Sequence, residues 1–344
     1  MRKRKLLAAF LIVFTVMLSS FSFYGWQMLY TPNINIDTEE DIIFSIDRGS
    51  TFKELQSKLY DTRVVNELVT FSFLAKMMGY DENVQPGHYT LTPNMTNLEA
   101  IRFFRQGNPP VKVQFRSVRT IDNLASVFAK HLAMDSSQWS QYFGQEDVQN
   151  ELGFNRENMI SLFMPDTYEF YYKVDPDDLM ARMKATYDKF WTDERLQKAK
   201  NIGLTPKEVS TLASIVRGET AKMDEASTIA GVYYNRLQKG MRLQADPTLI
   251  FAQQDFTIRR VRKGDKEIDS PYNTYRYKGL PPGPIYMTTK AYIDAVLDVE
   301  DHEYMYFCAK ADFSGYHAFA KSFDTHLNNA RKFQRALNKR GIER

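Results

Sequence analysis

The chain has 344 residues, 43% of them hydrophobic, enough for about two domains with attachments and a sizeable core. Lysine and arginine total 45 against 42 acidic residues, and a net charge of +3 argues against a nucleic-acid binder. The lone Cys308 excludes an intramolecular disulfide and a cysteine-based metal site, and five histidines without paired ligand spacing point to no metal and no cofactor.

The N-terminus opens with Arg2-Lys3-Arg4-Lys5, after which Leu6 to Tyr24 carries no charge and the next charged residue is Asp37. An apolar run of about 20 residues matches the hydrocarbon thickness of a bilayer. Phe21, Phe23, Tyr24, Trp26 and Tyr30 supply an aromatic belt at its far end, and the basic tip stays cytoplasmic. Residues 1–30 therefore read as a single-pass anchor in the inner (plasma) membrane, with Asn33 onward periplasmic or otherwise extracytoplasmic. The rival is a cleaved signal peptide with Ser19, Ser20 and Ser22 at its end. The run is long for that, and the aromatic flank is unusual there.

A stalk is expected over residues 31–40. Strand Ile42–Ile46 then leads through Arg48-Gly49-Ser50-Thr51 into a helix with Phe52, Leu55 and Leu59, and a second helix carries Val65, Leu68, Val69, Phe73 and Leu74. Pro86-Gly87 introduces strand 88–91. This strand–helix–helix–strand order over residues 41–110 resembles a LysM module, a small fold that binds N-acetylglucosamine polymers. A related unit follows in strand 111–115 and a helix opened by Thr120, so that Thr51-Phe52-Lys53-Glu54-Leu55 parallels Thr120-Ile121-Asp122-Asn123-Leu124. The intermediate α+β region, 111–200, also holds a short helix at Trp139–Phe143, an aromatic turn and strand through Phe163–Phe170, and a helix from Leu179 to Trp191. A mixed α/β catalytic domain is expected over 201–344, with Tyr304–Ala309 a buried strand and a last helix on Leu327, Ala330, Phe333 and Leu337. The fold class is α+β.

Thr205-Pro206-Lys207-Glu208 is a capping box with proline at the first helical position. Val209, Leu212, Ala213, Ile215 and Val216 continue the helix. Glu219 lies seven after Leu212, four after Ile215 and three after Val216, on the side of the apolar stripe. A carboxylate against apolar surface has its pKa raised, as a general acid requires. Periodicity leaves open a glutamate at a fraying end, since Gly218 weakens the last turn. A second helix, 224–238, buries Ala226, Ile229, Ala230, Tyr233 and Leu237 and brings Asn235 and Arg236 near its end. Polar, Pro- and Gly-rich loops follow at 240–248, 270–275 and 279–285, of a kind that lines a cleft for acetamido and hydroxyl groups. Each alone is an ordinary turn.

The stretches Ala213-Ser214-Ile215-Val216-Arg217-Gly218-Glu219-Thr220 and Ala230-Gly231-Val232-Tyr233-Tyr234-Asn235-Arg236-Leu237 resemble the MltG (YceG-like) family of endolytic murein transglycosylases. Met241-Arg242-Leu243-Gln244-Ala245-Asp246-Pro247-Thr248, Tyr272-Asn273-Thr274-Tyr275, Gly279-Leu280-Pro281-Pro282-Gly283-Pro284-Ile285 and the upstream Pro165-Asp166-Thr167-Tyr168 extend the resemblance past the anchor to most of the chain. It implies cleavage of the β-1,4 bond between N-acetylmuramic acid and N-acetylglucosamine in peptidoglycan glycan strands. The product ends in 1,6-anhydromuramic acid, Glu219 is the acid/base, and peptidoglycan synthases are the partners. Thr220, Asn235, Gln244, Asp246, Tyr272, Asn273 and Tyr275 are the candidate substrate contacts, and Gly279 to Pro284 a wall of the cleft. Two departures stand out. Arg217 occupies a position where the family often has an acidic residue, and Ile160-Ser161 replaces the family's Glu-Gly before the Pro-Asp-Thr-Tyr motif.

Two rivals remain. A muramidase-type hydrolase would use Asp246 as base or nucleophile beside Glu219 and release a reducing end. A non-catalytic scaffold would bind glycan through the LysM-like region and recruit synthases. A peptidase is disfavoured for want of a Ser–His–Asp, Cys–His or zinc-ligand pattern.

Overall fold

Helix α1 (Arg2–Tyr30) follows directly from the uncharged N-terminal run, and its stretch Ala9–Tyr30 is long and apolar enough to cross a membrane by length and composition. The computed structural model describes residues 2–34, 39–47, 49–107, 110–115, 118–258 and 261–340; residues 35–38 of the expected stalk and Arg48 lie outside them. The chain divides into two units, 1–111 with 169–173, and 112–168 with 174–344, so the intermediate region falls largely with the C-terminal region.

In the first unit, β2 (Ile42–Ile46) pairs antiparallel with β3 (Gly87–Leu91), Ile42 opposite Leu91 and Ile46 opposite Gly87. Between them run α2 (Phe52–Asp61) and α3 (Leu68–Met77), so the strand–helix–helix–strand order is as read. The stalk is corrected. After α1 the chain turns at once into β1 (Pro32–Ile34), which pairs with β4 (Met95–Thr96). Buried Asn33 is why: its Oδ1 accepts from the Glu67 amide at 2.7 Å, and its Nδ2 donates to Asn97 Oδ1 at 2.6 Å. Asn97, first residue of α4 (Asn97–Arg105), in turn donates to the Met28 carbonyl of α1 at 3.1 Å. Helix α4 was not read from sequence, although Thr96 and Glu99 form a reciprocal capping box at its start.

The face of α3 is also corrected. Phe71, Leu74 and Ala75 are buried, while Val69 and Phe73 face out, 70% and 54% exposed. An almost wholly apolar helix carries no periodicity that fixes its rotation. Polar pins do so instead, as Asn97 Nδ2 reaches Thr70 Oγ1 at 3.3 Å. Tyr89 and Phe104 meet edge to face at 4.9 Å in the middle of this core.

Strands β5 (Val111–Gln114) and β6 (Thr167–Phe170) straddle the division, and α5 (Ile121–Ala129), α6 (Ser136–Phe143) and α7 (Glu146–Leu152) lie wholly in the second unit. Phe115, Phe128, Trp139, Phe143 and Phe163 build a buried aromatic core there, with Phe128 and Trp139 ring centres 4.9 Å apart. Helices α8 (Pro176–Phe190) and α9 (Asp193–Asn201) lead to α10 (Pro206–Glu219), α11 (Ala226–Gln238), α12 (Asp246–Gln253) and α13 (Lys290–Leu297). Helix α10 is the hub and packs on α11, α12 and α13. The chain ends in the hairpin β7 (Tyr306–Ala309) and β8 (His317–Ala320), Cys308 opposite Ala318, and in α14 (Phe323–Lys339). The 304–309 segment was expected to be buried; every residue of β7 is half-buried, because one face of the hairpin borders a cleft.

Candidate functional site

The capping box that starts α10 forms as its letters imply: the Glu208 carboxylate accepts from the Thr205 amide at 2.8 Å, and Thr205 Oγ1 from the Glu208 amide at 3.3 Å. Val209, Leu212, Ile215 and Val216 are fully buried, and Glu219 ends the helix on the stripe they define. Its carboxylate reaches a cavity of about 330 Å³ lined also by Tyr233, Arg236, Gln244, Asp246, Tyr275, Tyr306, Cys308, His317, Phe323 and His326. Gly218 is the reason Asp246 comes so near. A Cβ there would sit 2.7 Å from Pro247 Cβ, so only glycine lets the first turn of α12 lie against the last turn of α10.

The Tyr233 hydroxyl, one helix away, donates to Glu219 Oε1 at 2.7 Å. Burial pushes the Glu219 pKa up to about 7; the Tyr233 hydrogen bond opposes this, Asp246's charge adds to it and Arg236's reduces it. The carboxyl group therefore carries a proton over much of the neutral range while still bordering open space. Arg236 is buried and held rigidly, with Nε donating to the Met305 carbonyl at 2.8 Å and Nη1 to that of Leu243 at 2.6 Å. It supplies a fixed positive charge beside the acid.

Gln244 takes a left-handed backbone, φ 50°, unusual for a residue with a side chain. Its amide donates to the Thr274 carbonyl and the Ala245 amide to Thr274 Oγ1, both at 3.0 Å, so Thr274 clamps the turn that presents Gln244 and Asp246 to the cavity. Tyr275, next in the chain, donates its hydroxyl to Asp246 Oδ1 at 2.6 Å. Burial and that carboxylate raise the phenol's pKa and keep it a donor. On the hairpin side, Glu225 accepts from the His317 amide at 3.0 Å and lies 3.0 Å from its Nδ1, which fixes that imidazole at the cavity wall.

Among the expected site residues, Glu219, Gln244, Asp246 and Tyr275 therefore come together at one cavity. The others stand elsewhere. Asn235 donates its amide to the His302 and Tyr304 carbonyls at 2.7 and 3.1 Å. Buried Asn273 donates to the carbonyls of Lys266 and Ile268 and accepts from the Tyr275 and Arg276 amides, a staple inside its own loop. Thr220 caps the end of α10, its Oγ1 accepting from the Lys222 amide at 2.9 Å. Tyr272 packs 4.6 Å from Phe251 and borders a second cavity with Arg119, Ile160 and Pro284. The 279–284 loop does not line the Glu219 cavity. Gly283 packs so tightly on the Glu157 carbonyl that a Cβ would lie 2.0 Å from it. Arg217 is not among the residues lining the cavity and donates to the Met287 carbonyl.

Tyr233 was read only as part of a buried face. Its signal was legible nonetheless, because a phenol on such a face needs a hydrogen-bond partner. Tyr306, His317, Phe323 and His326 carried no local signal, since the β7–β8 pairing and the start of α14 assemble them. Among the described residues no cluster of His, Cys, Asp and Glu is placed to hold a metal ion.

A model of the YceG-like family matches residues 44–332. An endolytic murein transglycosylase of Bacillus subtilis (strain 168) is 27% identical over 337 residues, covering 92% of this chain and 91% of that protein. One of Streptococcus pneumoniae serotype 2 is 26% identical over 331 residues, 87% of this chain; the match spans 60% of that relative's length. The 2.6 Å crystal structure of a YceG-like protein from Listeria monocytogenes superposes with a TM-score of 0.57 at 25% identity, over 85% of this chain and 99% of that one.

Proposed function

This chain belongs to the YceG-like family, and on that premise we propose that it is a membrane-anchored endolytic lytic transglycosylase acting on peptidoglycan glycan strands. The observation that carries the reading is the Glu219 carboxyl group, half-buried against apolar packing, held by Tyr233 and open to a cavity. With a pKa raised to about 7, Glu219 protonates the glycosidic oxygen as the C1–O bond of N-acetylmuramic acid breaks. The substrate's 2-acetamido carbonyl stabilises the positive charge developing at C1. Its C6 hydroxyl then attacks C1, and Glu219, now ionised, takes the hydroxyl proton. A 1,6-anhydro ring forms and Glu219 is reset. One carboxylate suffices because the substrate supplies both the internal nucleophile and the charge stabiliser, where most glycosidases need a second carboxylate. Gln244, Asp246 and Tyr275 are assigned to substrate contact. Helix α1 would hold the enzyme in the membrane with its catalytic unit outside, beside nascent glycan. There it would terminate strand elongation in reach of synthases, and the 41–110 module would engage sugar in the manner of LysM.

Asp246 gives the hydrolytic reading its one support, since it borders the same cavity as Glu219. Mass spectrometry of products from uncrosslinked glycan strands decides between them, using the full chain beside Glu219→Gln and Asp246→Asn. Internal cuts ending in 1,6-anhydromuramic acid, lost in Glu219→Gln, are the expected result. Reducing ends, heavier by one water and lost in both variants, would transfer the assignment to a muramidase. Folded protein that binds strands without cutting them would leave a scaffold.

A further inference from the structure

The cavity that holds Glu219 has a second wall with no carboxylate in it. Tyr306 of β7 faces Phe323 and His326 of α14, with ring centres 5.7 and 5.4 Å from its own, and Phe323 and His326 are 6.1 Å apart. Tyr306 and His326 lie nearly parallel, 25° between planes. Phe323 is the first residue of α14, directly after the Ser322 cap whose Oγ accepts from the Thr325 amide at 3.2 Å, so the helix start fixes where its ring stands. Although packed on two other aromatics, it is 55% exposed.

We infer that Tyr306, Phe323 and His326 form a sugar-stacking subsite, which takes the apolar face of a hexosamine in the same glycan strand that Glu219 cleaves. This rests on the polysaccharide reading given above. A single exposed phenylalanine is ordinary on a protein surface. Three aromatic rings bordering the cavity of a polar acid are a different matter, because they place a large apolar surface where an extended polar ligand must lie. A β-linked hexosamine presents three axial C–H bonds, at C1, C3 and C5, on one face, and these carry slight positive charge toward the negative face of an aromatic ring. Stacking there buries apolar area on both partners without requiring any hydroxyl to lose its hydrogen bonds to water.

The chemistry around the wall fits a neutral guest. Burial and the Arg236 charge hold the His326 pKa below its usual value, so the ring is uncharged at neutral pH. The Arg236 guanidinium lies 5.3 Å from the Tyr306 ring centre and ties this wall to the charge beside Glu219. The subsite would grip the strand away from the bond being cut and so favour cleavage within strands over cleavage at their ends.

The test uses the full chain in detergent micelles. Phe323→Ala should raise KM for uncrosslinked glycan strands about two- to tenfold, leave kcat within about twofold, and move cuts toward strand ends; Phe323→Trp should restore KM. In a Glu219→Gln, Phe323→Trp double variant, added N-acetylglucosamine tetramer should shift emission relative to the Glu219→Gln parent. Unchanged KM in Phe323→Ala, or emission unmoved by saturating tetramer, would overturn the subsite. A wild-type protein that cuts nothing would overturn the functional reading alone, and the tetramer titration would still decide the subsite.

Discussion

Replacing Glu219 by glutamine should make the protein more stable and inactive at once, with a stability gain that depends on pH. In the folded protein burial raises the carboxyl pKa from 4.5 to about 7. Between those values the folded state holds more protons than the unfolded one, so stability falls as pH rises through that window. At about 1.4 kcal/mol per pH unit, the penalty reaches at most about 3 kcal/mol above pH 7 and vanishes below pH 4. Glutamine has nearly the same shape, accepts the Tyr233 hydrogen bond and carries no charge to desolvate. Glu219→Gln and wild type should therefore melt together at pH 4. At pH 8 the variant should melt higher by about 6–12 °C, taking about 2–4 °C per kcal/mol for a unit of this size. Thermal unfolding of both proteins in one detergent, followed by near-ultraviolet circular dichroism from pH 4 to pH 8, measures this directly. A difference in melting temperature that stays constant across that range would refute the burial argument. Cleavage by the variant should fall by about two to four orders of magnitude at every pH.

Tyr233→Phe removes the hydrogen bond that lowers the Glu219 pKa, so the alkaline limb of the kcat profile should move up by about one to two pH units while kcat falls; an unmoved limb would deny Tyr233 that role. Gly218→Ala drives a methyl group into Pro247 and should cost about 1–3 kcal/mol in chemical denaturation, with activity lost in parallel as Asp246 is displaced. Asn97→Ala leaves the Asn33 amide buried without its side-chain acceptor and should lower stability by about 1–3 kcal/mol, measured by denaturant titration of the full chain.

How far the sequence could be read depended on how far apart the interacting residues lie. Helix α10 was legible because its cap, its proline and its apolar stripe all lie within 15 residues, and the same spacing aimed Glu219 correctly. Gly218, inside that span, was read as a weak point. Its reason lies 29 residues on, in Pro247, and no local rule contains it. The rotation of α3 was illegible for the opposite cause, since the helix is almost wholly apolar and Asn33 and Asn97 choose the buried side. Asn273 and Asn235 have the composition of sugar ligands, yet their amides are held by backbone carbonyls. Amide side chains serve both purposes with the same atoms, and only the fold tells them apart. The family resemblance pointed to the segments around this cavity but could not divide Gln244 and Tyr275, which border it, from neighbours that do not.

The join between α1 and β1 bears on reach. A flexible spacer would let the outer part of the chain sample a volume, with a local concentration falling as the spacer lengthens. Here the last turn of α1 is tied through the Met28 carbonyl to Asn97, and Pro32 begins a paired strand two residues after the helix ends. With α1 across a bilayer, the first unit stands at a set height and tilt above the lipid, swivelling only as the helix itself swivels. Its reach above the lipid then becomes a matter of geometry, chosen by the length of α1 and the thickness of the membrane.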